Sequence, residues 1–167
     1  LFDVGPLGKS PGFEHGHSDG LSAQLWLDDQ PALIDPGTFV YNANPRWRKY
    51  FKGSSAHNVL QFRGADQSRS LGSFRWAYSP EISDVSAIAS QRHFCLSGTL
   101  RLKDALWTRS ILNVGTGTVV ILDELRGTKD GILNLNLVFD PSIRLVERSK
   151  DNIEEEGFIA GSMLLGW

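Results

Sequence analysis

Short apolar runs cut by turn residues about every ten positions most constrain what this chain can fold into. Ala56 to Phe62 reads as a strand, and Gly64-Ala65-Asp66 turns it. Leu106 to Val114 alternates, and Gly115-Thr116-Gly117 turns the chain tightly into Thr118 to Glu124. Gly127 to Gly131 turns it again into Ile132 to Phe139, where Leu133, Leu135, Leu137 and Phe139 alternate with Asn134, Asn136 and Val138. Residues i and i+2 of a strand face the same side, so such runs bury one row and solvate the other. No long segment has a helical period, and no repeat of 20–50 residues is present. The pattern predicts an all-β protein, an antiparallel sandwich or barrel.

The N-terminal third is less regular. Residues 1 to 16 carry four glycines and two prolines, which predicts an irregular loop. Ser22 to Asp28 has a strand period, Asp28-Asp29-Gln30 turns, and Pro31 to Ile34 returns as the second strand of a hairpin. Pro36-Gly37 breaks that strand after Asp35, and Phe39 to Tyr41 resumes extended structure. Pro45 to Phe51 predicts a short helical turn capped by Asn44, with proline at its first position. Glu155-Glu156-Gly157 predicts a late hairpin.

At 167 residues the chain has the length of one domain. A formal net charge of -2 argues against a general polyanion or nucleic-acid binder, so affinity for an acidic ligand must come from a local patch. The single cysteine, Cys95, excludes an intramolecular disulfide. Apolar runs such as Leu133 to Phe139 are far too short to span a bilayer as a helix, so no membrane partner is expected. The chain starts Leu1-Phe2-Asp3 without an initiator methionine or leader pattern and stops at Trp167. Both ends read as cut from a longer polypeptide.

Residues 13 to 62 concentrate the chemistry. Three of the four histidines, His15, His17 and His57, lie there with Asp19, Asp35 and the basic cluster Arg46, Arg48, Lys49 and Lys52. On an extended chain His15 and His17 point to one side, roughly 6 to 7 Å apart, and share a metal or divide two jobs. Imidazole nitrogens with a carboxylate suit zinc and leave a fourth position open. Spacings of 18 and 22 residues follow no short metal motif, so His17, Asp35 and His57 also fit three unrelated strand-end residues with ordinary hydrogen bonds. Asp19 reads as a turn cap or as a group orienting a ligand histidine, and Asn58 as structural. His93 near Cys95 reads as an ordinary strand residue, and Glu154-Glu155-Glu156 as a solvated turn. Trp26, Trp47, Trp76 and Trp107 could stack on sugars, but strand tryptophans mostly pack in cores or on sheet faces.

Three ordered motifs then stand together: His-x-His-x-Asp-x-Leu-Ser at His15 to Ser22, Asp-x-Gly with an aromatic two residues on at Asp35 to Phe39, and Ala-His-Asn at Ala56 to Asn58. With RKYFKGSS before the last of them and GSFRW after it, they resemble the β-sandwich domain of the heparinase II/III-like polysaccharide lyases, densely from Phe2 to about Trp76. That resemblance implies a zinc ion on His17, Asp35 and His57 that shapes the site more than it performs the reaction. It also implies a cleft lined by His15, with Tyr41 and Tyr50 nearby as catalytic candidates. The implied reaction is β-elimination from a uronic-acid polysaccharide, and Arg46, Arg48 and Lys49 would pair with its carboxylates or sulfates. In such lyases an N-terminal α-helical toroid supplies the other half of the site. The isolated chain is therefore expected to be inactive, to expose a partly apolar face and to self-associate through it. A periplasmic or secreted location follows from the same resemblance. The alternative is a non-catalytic carbohydrate-binding or domain-interface module with a structural metal.

Overall fold

The computed structural model describes residues 1–91, 93–115, 118–127, 131–146, 154–155, 158–159 and 164–166. The first hairpin pairs β1 (Leu25–Leu27) with β2 (Gln30–Leu33), Leu27 opposite Gln30. Its two-residue turn puts both Asp28 (φ 48°) and Asp29 (φ 63°) in the left-handed region, whose twist suits a tight hairpin. Helix α1 (Pro45–Lys52) has Pro45 in its first turn, and the Asn44 side chain accepts from the Arg46 and Trp47 amides at 3.0 and 3.2 Å.

Strand β3 is shorter than the sequence suggests. Ser54–Ala56 forms one 3₁₀ turn, and the strand is confined to Leu60–Phe62. Phe39 to Tyr41 is not a strand, because Phe39 itself adopts a left-handed backbone (φ 56°).

The regular part is a four-stranded antiparallel meander in chain order: β4 (Ile82–Ala89), β5 (Phe94–Arg101), β6 (Leu106–Gly115) and β7 (Thr118–Arg126). A register shift between Ser83 and Ser86 bends β4 where Asp84 turns left-handed (φ 50°). In β6 the period of two is plain: Trp107, Arg109 and Ile111 are buried and their neighbours are not. Those three face Leu125, Asp123 and Ile121 on β7, so one charged pair sits within an apolar row.

Strand β8 (Leu133–Leu135) pairs with β3. Beyond β8 the chain leaves regular strand geometry but keeps bonding: Asn136 N–H donates to Val59 O, Val138 N–H to the Asn58 side chain, and Asp140 N–H to Ala32 O. Alternate residues face one side, so β3 and then β2 line the same edge of this segment. Asn58 fills the junction, its Nδ2 donating to Ala23 O and Ile34 O at 2.8 and 2.9 Å.

Three short strands follow, β9 (Arg144–Val146), β10 (Glu154–Glu155) and β11 (Phe158–Ile159), and then β12 (Leu164–Gly166). β9 pairs with β12 and β10 with β11. The expected turn residues Glu156-Gly157, Thr116-Gly117 and 128–130 lie outside the described residues.

The core joins the meander to this second layer. Leu100 and Trp107 from the meander pack with Leu21, Val59 and Leu60, and Phe2, Val4, Ile82 and Leu125 close around them. Among the described residues the architecture is an all-β antiparallel sandwich with one short α-helix. Residues 13 to 58 contribute the β1–β2 hairpin, α1 and the loops between them to its second layer, anchored on that core.

Candidate metal centre

Each chemical residue is fixed by backbone bonds around it. The His17 loop is held by Ser18, whose amide donates to Lys52 O at 2.8 Å and whose Oγ accepts from the Gln67 amide and from Ser54 Oγ. Gln67 clamps the next turn from both ends, accepting from Gly20 N–H and donating to Gly20 O, each at 2.9 Å. A Cβ at Gly16 would meet Leu7 O at 2.8 Å, so the loop's close approach requires glycine there. Asp35 ends the second-layer hairpin. One of its oxygens accepts from Gly37 N–H at 2.7 Å, an Asx turn that frees the other to face inward.

That second oxygen lies 2.7 Å from His57 Nδ1. The opposite nitrogen, Nε2, faces Phe51 O at 3.1 Å, and the His57 side chain is fully buried. The His17 ring packs at 5.1 Å from the His57 ring, tilted 41° to it, and its Nε2 has long contacts to Thr38 Oγ1 (3.4 Å) and Arg48 Nη1 (3.5 Å).

The titration behaviour follows from this packing. Burial opposes charge on His57, but the Asp35 hydrogen bond, the charges of Asp19 and Asp35 and the Phe51 carbonyl outweigh it and raise its pKa above 6.5. Burial, then the nearness of His57, Arg48 and Lys52, lowers His17 to about 4, so His17 stays neutral with a lone pair to offer. Burial, with Asp3 and Asp35 adding to it, raises Asp19 to about 6. For Asp35 burial acts upward but loses to the His57 bond and charge, and its pKa falls.

His17, Asp19 and His57 each offer a donor atom, and the three lie within 4.8 Å of one another. Asp35, expected as a ligand, is not one of these three and touches them only through its 2.7 Å bond to His57 Nδ1. The donor set fits a metal. With Phe51 O fixing the proton on Nε2, Nδ1 carries the proton shared with Asp35, and a cation would replace that proton. Among the described residues this is the one such His/Asp group. The sequence left Asp19 as a turn cap or a group orienting a ligand histidine and not as a donor itself, although His17 and Asp19, two apart, stand on one side of an extended chain.

His15 does not share this centre. Its backbone is left-handed (φ 62°), so the extended-chain premise that aimed both histidines one way does not hold. Its amide donates to Phe74 O at 2.9 Å, and its exposed ring packs against Phe74 (5.5 Å) and Tyr41 (6.2 Å). Tyr50 stands apart from that pair, on the outer face of α1 against Trp47 and Phe51.

The basic cluster divides. Arg46 and Lys49 are exposed, whereas Arg48 is 2% exposed. Arg48 Nε donates to Ser73 O at 3.0 Å, and its guanidinium lies over the rings of Tyr41 (5.4 Å) and Phe74 (5.2 Å). It therefore holds the wall of the site, and the solvent-facing set reduces to Arg46 and Lys49. Lys52, also buried, donates to Gly72 O and lies 4.3 Å over the Trp76 ring.

No curated protein and no solved structure matches the chain. The family model described as heparinase II/III-like, C-terminal, matches residues 1–161. That span takes in the His17 loop, Asp35, α1 and the whole meander, and the chain belongs to the heparinase II/III-like C-terminal family.

Proposed function

We propose that this chain is the β-sandwich part of a polysaccharide lyase that cleaves a uronic-acid-containing glycan by β-elimination. Zinc is the preferred metal, held by His17, Asp35 and His57 with Asp19 within reach. The observation that carries this reading is the pairing of a buried imidazole–carboxylate centre with an exposed His15–Tyr41 pair, Arg48 packed between them. When bound, the metal supplies positive charge that fixes these loops and raises the local potential. The protein side of the reaction needs a donor on the sugar carboxylate and a base for the C5 proton, whose acidity rises once that charge is neutralised. His15 is assigned to the carboxylate and to proton traffic, with Tyr41 beside it toward the departing 4-linked oxygen. Arg46 and Lys49 pair with acidic groups further along the glycan. A preceding α-helical toroid completing the site and a periplasmic or secreted location belong to the same reading.

Two measurements test it. The chain should take zinc at one equivalent and lose it in His17→Ala and Asp35→Ala. The longer polypeptide should generate absorbance near the ultraviolet edge from alginate, heparin or heparan sulfate, and His15→Ala should abolish it. Zinc binding without product on any acidic glycan would leave the non-catalytic module.

A further inference from the structure

Helix α1 is inside out. Its buried face carries the cations Arg48 and Lys52, while Trp47 (46% exposed) and Tyr50 (45%) face solvent with Phe51 half-buried beside them. Phe39, 67% exposed, adds its ring to this face at 4.8 Å from Phe51 and 6.1 Å from Trp47. A helix of a soluble domain normally turns its apolar stripe to the core. The cations are inside because the interior here is the polar centre: Arg48 meets His17 and Lys52 meets Gly72 O. That accounts for half of the inversion and leaves the outward aromatics unexplained by folding.

Phe39 sharpens the point. A bulky side chain held at φ 56° is strained, and here it gains an exposed ring. At about 100° per residue, Lys49 and Arg46 fall on one flank of the outward face. Tyr50 comes next, then Trp47 and Phe51. Among the described residues, α1 contains no acidic side chain. Flat aromatic faces beside two exposed cations complement a ligand with apolar ring faces and anionic substituents.

We infer that the outer face of α1, with Phe39, is a binding ledge for an acidic oligosaccharide. One sugar stacks on Trp47 and abuts Phe39, whose ring stands at 77° to it, while Arg46 and Lys49 engage its carboxylates or sulfates. This rests on the acidic-glycan reading above but does not need the elimination chemistry or the metal. The ledge borders the centre through Thr38, next to Phe39 and 3.4 Å from His17 Nε2, and through Phe51, whose carbonyl holds His57.

The test is calorimetric titration of the full chain with heparin-derived and alginate-derived oligosaccharides, with a neutral cello-oligosaccharide as control. Acidic oligosaccharides should bind at least tenfold more tightly than the neutral one. Trp47→Ala and Phe39→Ala should each weaken binding tenfold or more, while Trp47→Phe restores most of it. Trp26→Ala, on the first hairpin and 50% exposed, should change nothing. Arg46→Gln with Lys49→Gln should flatten the salt dependence. Near-ultraviolet circular dichroism and zinc stoichiometry confirm that each variant is folded. Wild-type affinity in Trp47→Ala, or no acidic binding by folded chain, overturns the proposal. So does a dimer that Trp47→Ala dissociates without any glycan affinity, which would make the face a contact between copies. A chain that binds acidic glycan through the ledge while the longer polypeptide eliminates nothing would sink only the lyase reading.

Discussion

His57 has an acceptor against each ring nitrogen, so the metal-free folded chain prefers the imidazolium and the ionised Asp35. With the His57 pKa raised, its stabilising contribution is complete below 6.5 and is lost as pH rises through the folded value. With Asp35 depressed, its share is present above 3.8 and is lost as pH falls through its lower folded value. Chelator-treated protein should therefore melt at progressively lower temperature as pH climbs above 6.5. Asp35→Ala should remove that slope and cost about 2–3 kcal/mol, below the range for fully enclosed pairs, because Asp35 keeps some solvent contact. Zinc should behave oppositely, raising the melting temperature more at higher pH because it displaces a proton. A thermal scan across pH, with and without zinc, checks both. His17 and Asp19 hide each other: His17, lowered to about 4, makes stability rise with pH between about 4 and 6.5. Asp19, raised to about 6, makes it fall between 3.8 and about 6. Asp19→Asn should expose the His17 slope as a loss of stability on acidification.

At the scale of elements, α1 is a short helix that its own sequence supports weakly. Eight residues are too few for stability by propensity alone. The Asn44 cap, Pro45 and the two buried cations hold it against the His17 loop. Asn44→Ala should cost about 1 kcal/mol, measured by denaturant unfolding. Because Phe51, in the last turn of the same helix, orients His57 through its carbonyl, the variant should also weaken zinc binding.

For the molecule as a whole, Arg109 joins the two layers. From the inward row of β6 it pairs with both oxygens of Asp123 at 2.8 and 2.9 Å. Its Nη1 reaches across to Leu21 O and Asn58 O. Trp107 Nε1 shares the same carboxylate at 2.8 Å. Leu21 follows Asp19 by two residues and Asn58 adjoins His57, so this guanidinium anchors both arms of the centre to the sheet. Arg109→Met should cost about 3–5 kcal/mol, since it strands Asp123 and two carbonyls. Arg109→Met with Asp123→Leu should recover part of that, seen in a double-mutant cycle of unfolding.

Local rules determined much of this protein. Period-two runs marked β6 and β7 of the meander, Asp28-Asp29 the first turn, and Asn44-Pro45 the start of α1, because each depends only on nearby backbone sterics and hydrogen bonds. The motifs around His15, Asp35 and His57 marked the chemical stretch and the family. Several features were decided by tertiary structure alone. Asp19 stands among the donors, Arg48 is a buried wall and not a solvent-facing contact, His15 turns away from His17, and α1 shows its rings to water. Each depends on which side of a loop or helix meets the polar centre, and residues far apart in the chain set that. Spacing along a sequence carries no record of it.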